Sequence, residues 1–142
     1  MTFQDNLAAA AAAQAAANQG ITNIAKTRRY VVAFSLEGVL NNAEKLRHKV
    51  GLAMKLLANL PDAQCDASTA ATASTVITFY KVSSGTATSI GTLTWAASGT
   101  VPTISFPADV SFAAGDALEL RGPATADTTL ADIACTLLGH LL

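Results

Sequence analysis

From residue 30 onward, apolar side chains recur at every second position in short runs cut by turn-forming residues. That period of two constrains the fold more than any other feature, because only half-buried strands need it. Tyr30, Val32, Phe34 and Leu36 alternate with Val31, Ala33 and Ser35, which reads as a strand buried on both faces. Further runs predict strands near 74–82, 87–96, 101–107, 116–121 and 130–138. Turn signals separate them at Ser83-Ser84-Gly85, Ser98-Gly99, Ala114-Gly115-Asp116 and Arg121-Gly122-Pro123. The 17 threonines fall where strand formers are expected. Seven or eight short strands at this spacing predict a mainly β domain over 29–142, a jelly-roll-like β-sandwich. The absence of a Cys–Trp–Cys framework spanning the sheets counts against a true immunoglobulin domain.

Residues 44–57 are ambiguous in period. Glu44, Leu46, His48, Val50, Leu52, Met54 and Leu56 fall on one side of a strand, with Lys45, Arg47, Lys49 and Lys55 on the other. A helix would also align Leu46, Val50, Met54 and Leu57, but it would scatter the basic residues around its barrel. The strand separates the two chemistries, so one strand is expected across the segment.

Before the β region lies an N-terminal arm, residues 1–28. Its stretch 5–19 is dominated by alanine, the best helix former, with Asp5 or Asn6 placed to cap the first turn and Gly20 to stop the last. The expectation is a short alanine-rich helical arm. No heptad seam is visible over 5–19, where Leu7 is the sole large aliphatic, and such a helix is marginal in water unless a partner holds it.

Alanine accounts for 30 of the 142 residues and aromatics for 6%, which predicts a thin core of small side chains. Charged residues are 13% of the chain, about half the usual share, so a free subunit should be prone to association. The net charge of −1 hides an asymmetry. Residues 26–55 hold seven basic groups against Glu37 and Glu44, net +5, while 62–142 hold seven acids against Lys81 and Arg121, net −5. Patches of opposite sign set register and partner choice. A nucleic-acid groove over Arg28, Arg29, Lys45, Arg47 and Lys49 would want stacking aromatics, which are scarce here. Cys65 and Cys135 stand 70 residues apart; they could pair, but two small buried thiols in a protein of a reducing cytosol are the expectation. No apolar run is long enough to span a bilayer, and the first residues lack the basic region of a signal peptide. A soluble product made in the cytoplasm is expected.

Little in the chain suggests chemistry. His48 falls on the apolar side of its strand, where a hydrogen-bonded core or interface histidine is the simpler reading, and His140 is expected to be exposed in a C-terminal tail. No Cys or His pair has metal-ligand spacing, and no nucleophile elbow or phosphate-cradling glycine loop occurs. Asp127 and Asp132 could act as paired acids, but capping the turn into the last strand suits them better. The sequence therefore predicts no catalytic, cofactor-binding or metal site, and no small-molecule substrate.

Four stretches, Tyr30–Leu40 (YVVAFSLEGVL), Ser89–Ala97 (SIGTLTWAA), Val110–Leu120 (VSFAAGDALEL) and Gly122–Gly139 (GPATADTTLADIACTLLG), resemble a β-sandwich module of tailed-bacteriophage virion proteins. The resemblance covers roughly residues 29–140 and is most specific in FAAGD followed by PAT-D-TLADI. In a small single-module chain it looks most like a jelly-roll capsid cement (decoration) protein. That resemblance implies a non-enzymatic subunit on the outer capsid surface of a virion, bound to the major capsid protein and to itself as a homodimer or homotrimer, with no nucleic acid or membrane partner. Leu7, Arg28, Arg29, Lys45, Arg47, Lys49 and Lys55 are the candidate partner-facing residues. A tail or tail-fibre component built as a homotrimer is the first alternative, and it would want a coiled coil. A carbohydrate-binding host-recognition module is the second, resting on Trp95, Tyr30 and Tyr80, though Trp95 in a hydrophobic strand is better read as core.

Overall fold

A computed structural model describes residues 2–142, with side chains throughout except over 20–27. One helix, α1 (Phe3–Thr27), precedes ten strands: β1 (Arg29–Val39), β2 (Lys45–Lys49), β3 (Met54–Leu56), β4 (Gln64–Thr69), β5 (Thr75–Ser83), β6 (Thr86–Trp95), β7 (Thr103–Ser105), β8 (Val110–Phe112), β9 (Ala117–Arg121) and β10 (Ala131–Leu141). One sheet runs β1-β10-β3-β8, with β4 also on β10; the other runs β2-β9-β5-β6-β7. Every pairing is antiparallel.

β3 and β4 lie end to end along one side of β10, Met54 opposite Leu141 and Gln64 opposite Thr136, so they are one lane interrupted by residues 57–63. With that merger, and with β7 as a short addition to the edge of β6, the lanes number eight. Their chain order is first–last–third–sixth in one sheet and second–seventh–fourth–fifth in the other. This is the double Greek key of a jelly roll, and the sheets face each other over one core. The expected fold stands, while β4 and β8 are strands that the alternation did not announce.

Turn chemistry fixes the hairpins. β5 and β6 are joined by Ser84 (φ 49°) and Gly85 (φ 81°), a two-residue loop with both angles positive, the twist-matched type I′ turn. Before β9 the expected tight turn is present: Gly115 has φ 96°, and Asp116 Oδ2 accepts the Ala113 N–H at 2.9 Å. The core is not thin. Phe79, Trp95, Phe106, Phe112, Leu118 and Leu137 are fully buried, and Phe79 meets Phe106 edge to face at 5.9 Å. Alanine misled because much of it sits in α1, exposed, whereas the aromatics other than Phe3 all belong to the sandwich.

Four local expectations are corrected. β1 buries one face only: Val32 and Phe34 are inside, while Val31 is 58% exposed, because β1 is an edge strand of a sheet whose outer side is open. The strand expected over 44–57 breaks after Lys49 and changes sheet. Val50 is held there by backbone bonds to Asp116 and Gly115, the Gly51 N–H donates to the Tyr30 hydroxyl at 3.0 Å, and Leu52 is left exposed. α1 begins one turn earlier than expected and runs through Gly20 to Thr27. Its cap is Thr2, whose Oγ1 accepts the Asp5 N–H while the Asp5 carboxylate accepts the Thr2 N–H, a reciprocal capping box. A glycine inside a helix costs only about 1 kcal/mol, so one glycine need not stop it. Finally, β10 continues to Leu141, which places His140 in a sheet and not in a tail.

Candidate interaction surface

β2 is an edge strand, paired only with β9, and Lys45, Arg47 and Lys49 all point outward from it. Its partner strand supplies the counter-charge. Arg47 lies opposite Glu119, whose side chain is 5% exposed and whose Oε1 is 3.6 Å from Arg47 Nε. Arg121 holds the other oxygen of Glu119 at 2.6 Å from Nη2 and 2.8 Å from Nε, and its guanidinium stacks 4.3 Å from the Tyr80 ring. Arg29 pairs with Asp62 at 3.3 Å, Lys55 with Asp109 at 3.6 Å and Lys81 with Asp116 at 3.7 Å. Three of the seven basic groups of 26–55 thus pair with acids of 62–142 inside one subunit.

The seven candidate residues therefore divide. Arg29, Arg47 and Lys55 are engaged within the chain. Lys45 and Lys49 are exposed and have no ion pair among the described residues. Arg28 is exposed between α1 and β1, and Leu7 is exposed on α1, whose main contact with the sandwich is at β10. The fold brings Lys45, Arg47 and Lys49 together on one edge. It places Arg29 and Lys55 on either side of His140 in the other sheet. Arg29 Nη1 is 3.0 Å from His140 Nε2.

The remaining polar groups hold the body together. His48 Nε2 sits 3.1 Å from the Tyr30 hydroxyl, with both the Tyr30 and Phe34 rings edge-on to the imidazole; it is hydrogen-bonded as expected, and half-buried. Asp127 accepts six hydrogen bonds, from the backbone and hydroxyls of Thr72 and Thr129 and from the N–H groups of Ala73 and Leu130. Those bonds, the Thr129 and Thr72 hydroxyls foremost, push its carboxyl far below the usual carboxylate range. Asp132 accepts from the Gly38 N–H at 2.7 Å and from Ser68 Oγ at 2.8 Å, which lowers its pKa and ties β1, β10 and β4 together. Asp116 is lowered in the same sense, first by the Ala113 N–H. Asp127 thus staples a loop, and Asp132 staples three strands of one sheet.

Cys65 and Cys135 correct the sequence reading most directly. They are opposite each other in register on β4 and β10, with Cα atoms 4.0 Å apart, and form a disulfide. A separation of 70 residues carries no information about register, so the sequence could not bring them together.

Trp95 is buried, with Nε1 donating to the Thr100 carbonyl at 3.1 Å; the Tyr30 hydroxyl is committed to His48 and Gly51, and Arg121 covers Tyr80. These three rings do not assemble a platform on which a sugar could stack. Among the described residues, no three His, Cys, Asp or Glu side chains gather as a metal site, and no helix is long and apolar enough to cross a membrane. A surface depression between residues 72–76 and 123–128 is lined by threonines, alanines, Ser74, Val76, Pro123 and the fully bonded Asp127. The surface presents α1, exposed over residues 3–19, a lysine-bearing edge at β2 and the open edge of β1. The Arg47–Glu119 neutralisation was in principle legible, since 45–49 and 117–121 both alternate charge with apolar residues, but only strand pairing says that they are neighbours. Neither the family models nor the curated proteins compared with this chain give a match.

Proposed function

We propose that this chain is a structural subunit of a tailed-phage particle, a cement (decoration) protein that binds the outside of the capsid lattice and stabilises it through repeated contacts. The observation that carries the reading is how the chain spends its polar side chains. Asp116, Asp127, Asp132, Glu119 and His48 are all committed to turns, strand pairs or hydrogen bonds within the body, while α1 over residues 3–19 and the lysine-bearing β2 edge stay open to a partner. A jelly roll with an exposed arm and a lysine-bearing edge suits work by surface complementarity, where a lattice multiplies individually weak contacts. The open strand edge of β1 can extend across a subunit boundary, because pairing there satisfies backbone groups with little demand on side chains. The phage resemblance in FAAGD and PAT-D-TLADI gives the lattice its identity.

The test is occupancy: purified chain is added to heads that lack it, and the decorated particles are imaged. One copy at each equivalent lattice position supports the reading, and no binding to heads ends it. The tail or tail-fibre alternative gains from one observation, the unbroken 25-residue helix α1, exposed over residues 3–19 and longer than the 5–19 stretch predicts. Copy number separates the two, since a tail component is present in a handful of copies at one vertex.

A further inference from the structure

β2 leaves two kinds of group without a partner, and both belong to the same three residues. In an antiparallel pair only alternate residues exchange hydrogen bonds with the neighbouring strand, and those between turn their N–H and C=O groups the other way. The even-numbered residues of this segment face β9. The Glu44 carbonyl accepts the Gly122 N–H at 2.7 Å, and the Val50 N–H donates to the Asp116 carbonyl at 2.9 Å. Leu46 and His48 lie opposite Leu120 and Leu118 in the same register. The N–H and C=O groups of Lys45, Arg47 and Lys49 therefore point away from the sheet, and no described residue takes them. The open stretch ends at Gly51, whose N–H is held by the Tyr30 hydroxyl. The side chains of the same three residues are exposed on the outer face. Their charge stays open as well: Lys45 and Lys49 have no ion pair among the described residues, and Glu119, beside Arg47, is already held by two nitrogens of Arg121.

We propose that β2 is the docking edge for an extended acidic strand of another protein, which joins the sheet antiparallel to β2 with carboxylates opposite Lys45, Arg47 and Lys49. The inference rests on reading the chain as a subunit that binds a partner surface, and it names what that partner presents. Directly opposite residues of an antiparallel pair put their side chains on the same face, with Cβ atoms about 4.5–5.5 Å apart. Acidic residues at every second position thus meet the three cations while their own backbone meets the open N–H and C=O groups. The residues between them turn inward over Leu46 and His48, both half-buried, and are apolar. The recognised pattern is acid, apolar, acid, apolar, acid. A second copy of the chain does not supply it. Pairing β2 with itself about Arg47 sets Lys45 against Lys49 and Arg47 against Arg47, and like charges directly opposite are destabilising. No other segment of this chain supplies it either, because none of its ten acidic residues stands two positions from another. Edge lysines also discourage copies from stacking, yet β1, an open edge of eleven residues, carries no charge between Arg29 and Glu37. Guarding of edges is therefore not a general device in this fold, and the cations of β2 are specific to it.

The probe is a blocked seven-residue peptide in which three glutamates alternate with valines, titrated into the whole chain and followed by amide NMR. Binding should shift the amide resonances of Lys45, Arg47 and Lys49 first, and Lys45→Gln/Lys49→Gln should weaken it several-fold through the loss of exposed ion pairs. Backbone pairing is read separately. A methyl group on the nitrogen of the central glutamate blocks its bond to the Arg47 carbonyl and should weaken binding by about tenfold. A methyl group on the nitrogen of the next valine faces away from β2 and should leave the affinity unchanged. A peptide of the same composition with its glutamates contiguous should bind no better than the glutamate-methylated form. The proposal is overturned by an alternating peptide that does not bind, or by a glutamate methyl no worse than a valine methyl. Heads decorated normally by a chain that ignores the peptide would overturn this inference alone. Peptide binding without binding to heads would instead end the capsid reading and leave the acidic strand in place.

Discussion

Cys65 and Cys135 face each other across β4 and β10 and close a disulfide between the interrupted third lane and the last strand. The loop they close spans 70 residues and contains most of the second sheet. Constraining a loop of that order stabilises a fold by about 2–4 kcal/mol, chiefly through the unfolded chain. Reduction, or the double substitution Cys65→Ala/Cys135→Ala, should therefore lower Tm by roughly 5–15 °C. Thiol titration of the unreduced native protein should find no free cysteine, and an unchanged Tm on reduction would remove the bond from the account.

Asp127 joins the 72–73 segment to the turn before β10 through six hydrogen bonds. Its folded pKa is depressed from 3.8, so its stabilisation is present above the unfolded value and is lost as pH falls below it toward the folded value. Asp127→Asn keeps the shape but offers one acceptor oxygen where there were two. At neutral pH the variant should melt several degrees below the parent, and the gap should narrow as the pH is taken below about 3.8. Asp116 and Asp132 shift in the same direction, so the parent's own acid transition is a composite, and the parent-minus-variant difference is the readout. A gap that stays constant down the acid range contradicts the linkage.

How far the sequence speaks depends on whether a feature is local. Alternation announced β1, β5, β6 and β10, because a strand with one wet face must write its period into its own residues, whereas β9, buried on both faces, was marked by the turns on either side of it. The Gly115 turn was legible for the same reason, since φ 96° is a demand met by one residue type. β4 (Gln64–Thr69) was not, because it pairs with β10 through its backbone and carries only Cys65 and Ala67 toward the core. The break at Val50 also depends on distant groups, the backbone of Asp116 and the hydroxyl of Tyr30. At the candidate surface the basic residues were readable, but their partners were not. Asp62, Glu119 and Asp109 reach Arg29, Arg47 and Lys55 only through the jelly-roll lane order.

Glu119 is the buried member of a three-residue network, and its two arginines should not be equivalent. Arg121 contacts it through two nitrogens at 2.6 and 2.8 Å and is 32% exposed, whereas Arg47 approaches to 3.6 Å and is 54% exposed. Removing the close partner leaves a carboxylate buried with little compensation, so Arg121→Leu should cost on the order of 3 kcal/mol. Arg47→Leu removes a solvent-screened pair and should cost less than about 1 kcal/mol. Urea unfolding of the two variants, with Glu119→Gln to complete each cycle, measures both couplings. Equal couplings would mean that exposure and distance do not decide the matter here.

Lys45 and Lys49 flank Arg47 on the edge strand but take no part in an ion pair among the described residues, so they are the basic groups available to a partner. Their reversal, Lys45→Glu/Lys49→Glu, should leave Tm within a few degrees of the parent, because surface changes of this kind rarely exceed about 0.5 kcal/mol each. Arg47 is best left in place, since its reversal would set a second carboxylate against Glu119 and confuse binding with folding. If β2 meets an acidic patch on the capsid lattice, the double variant should lose occupancy on purified heads. Parent binding should weaken steeply with added salt while the residual binding of the variant hardly responds, because exposed charge pairs are screened over about 10 Å at 0.1 M ionic strength. Occupancy equal to the parent at every salt concentration would take β2 out of the contact and leave α1 and the β1 edge to carry it.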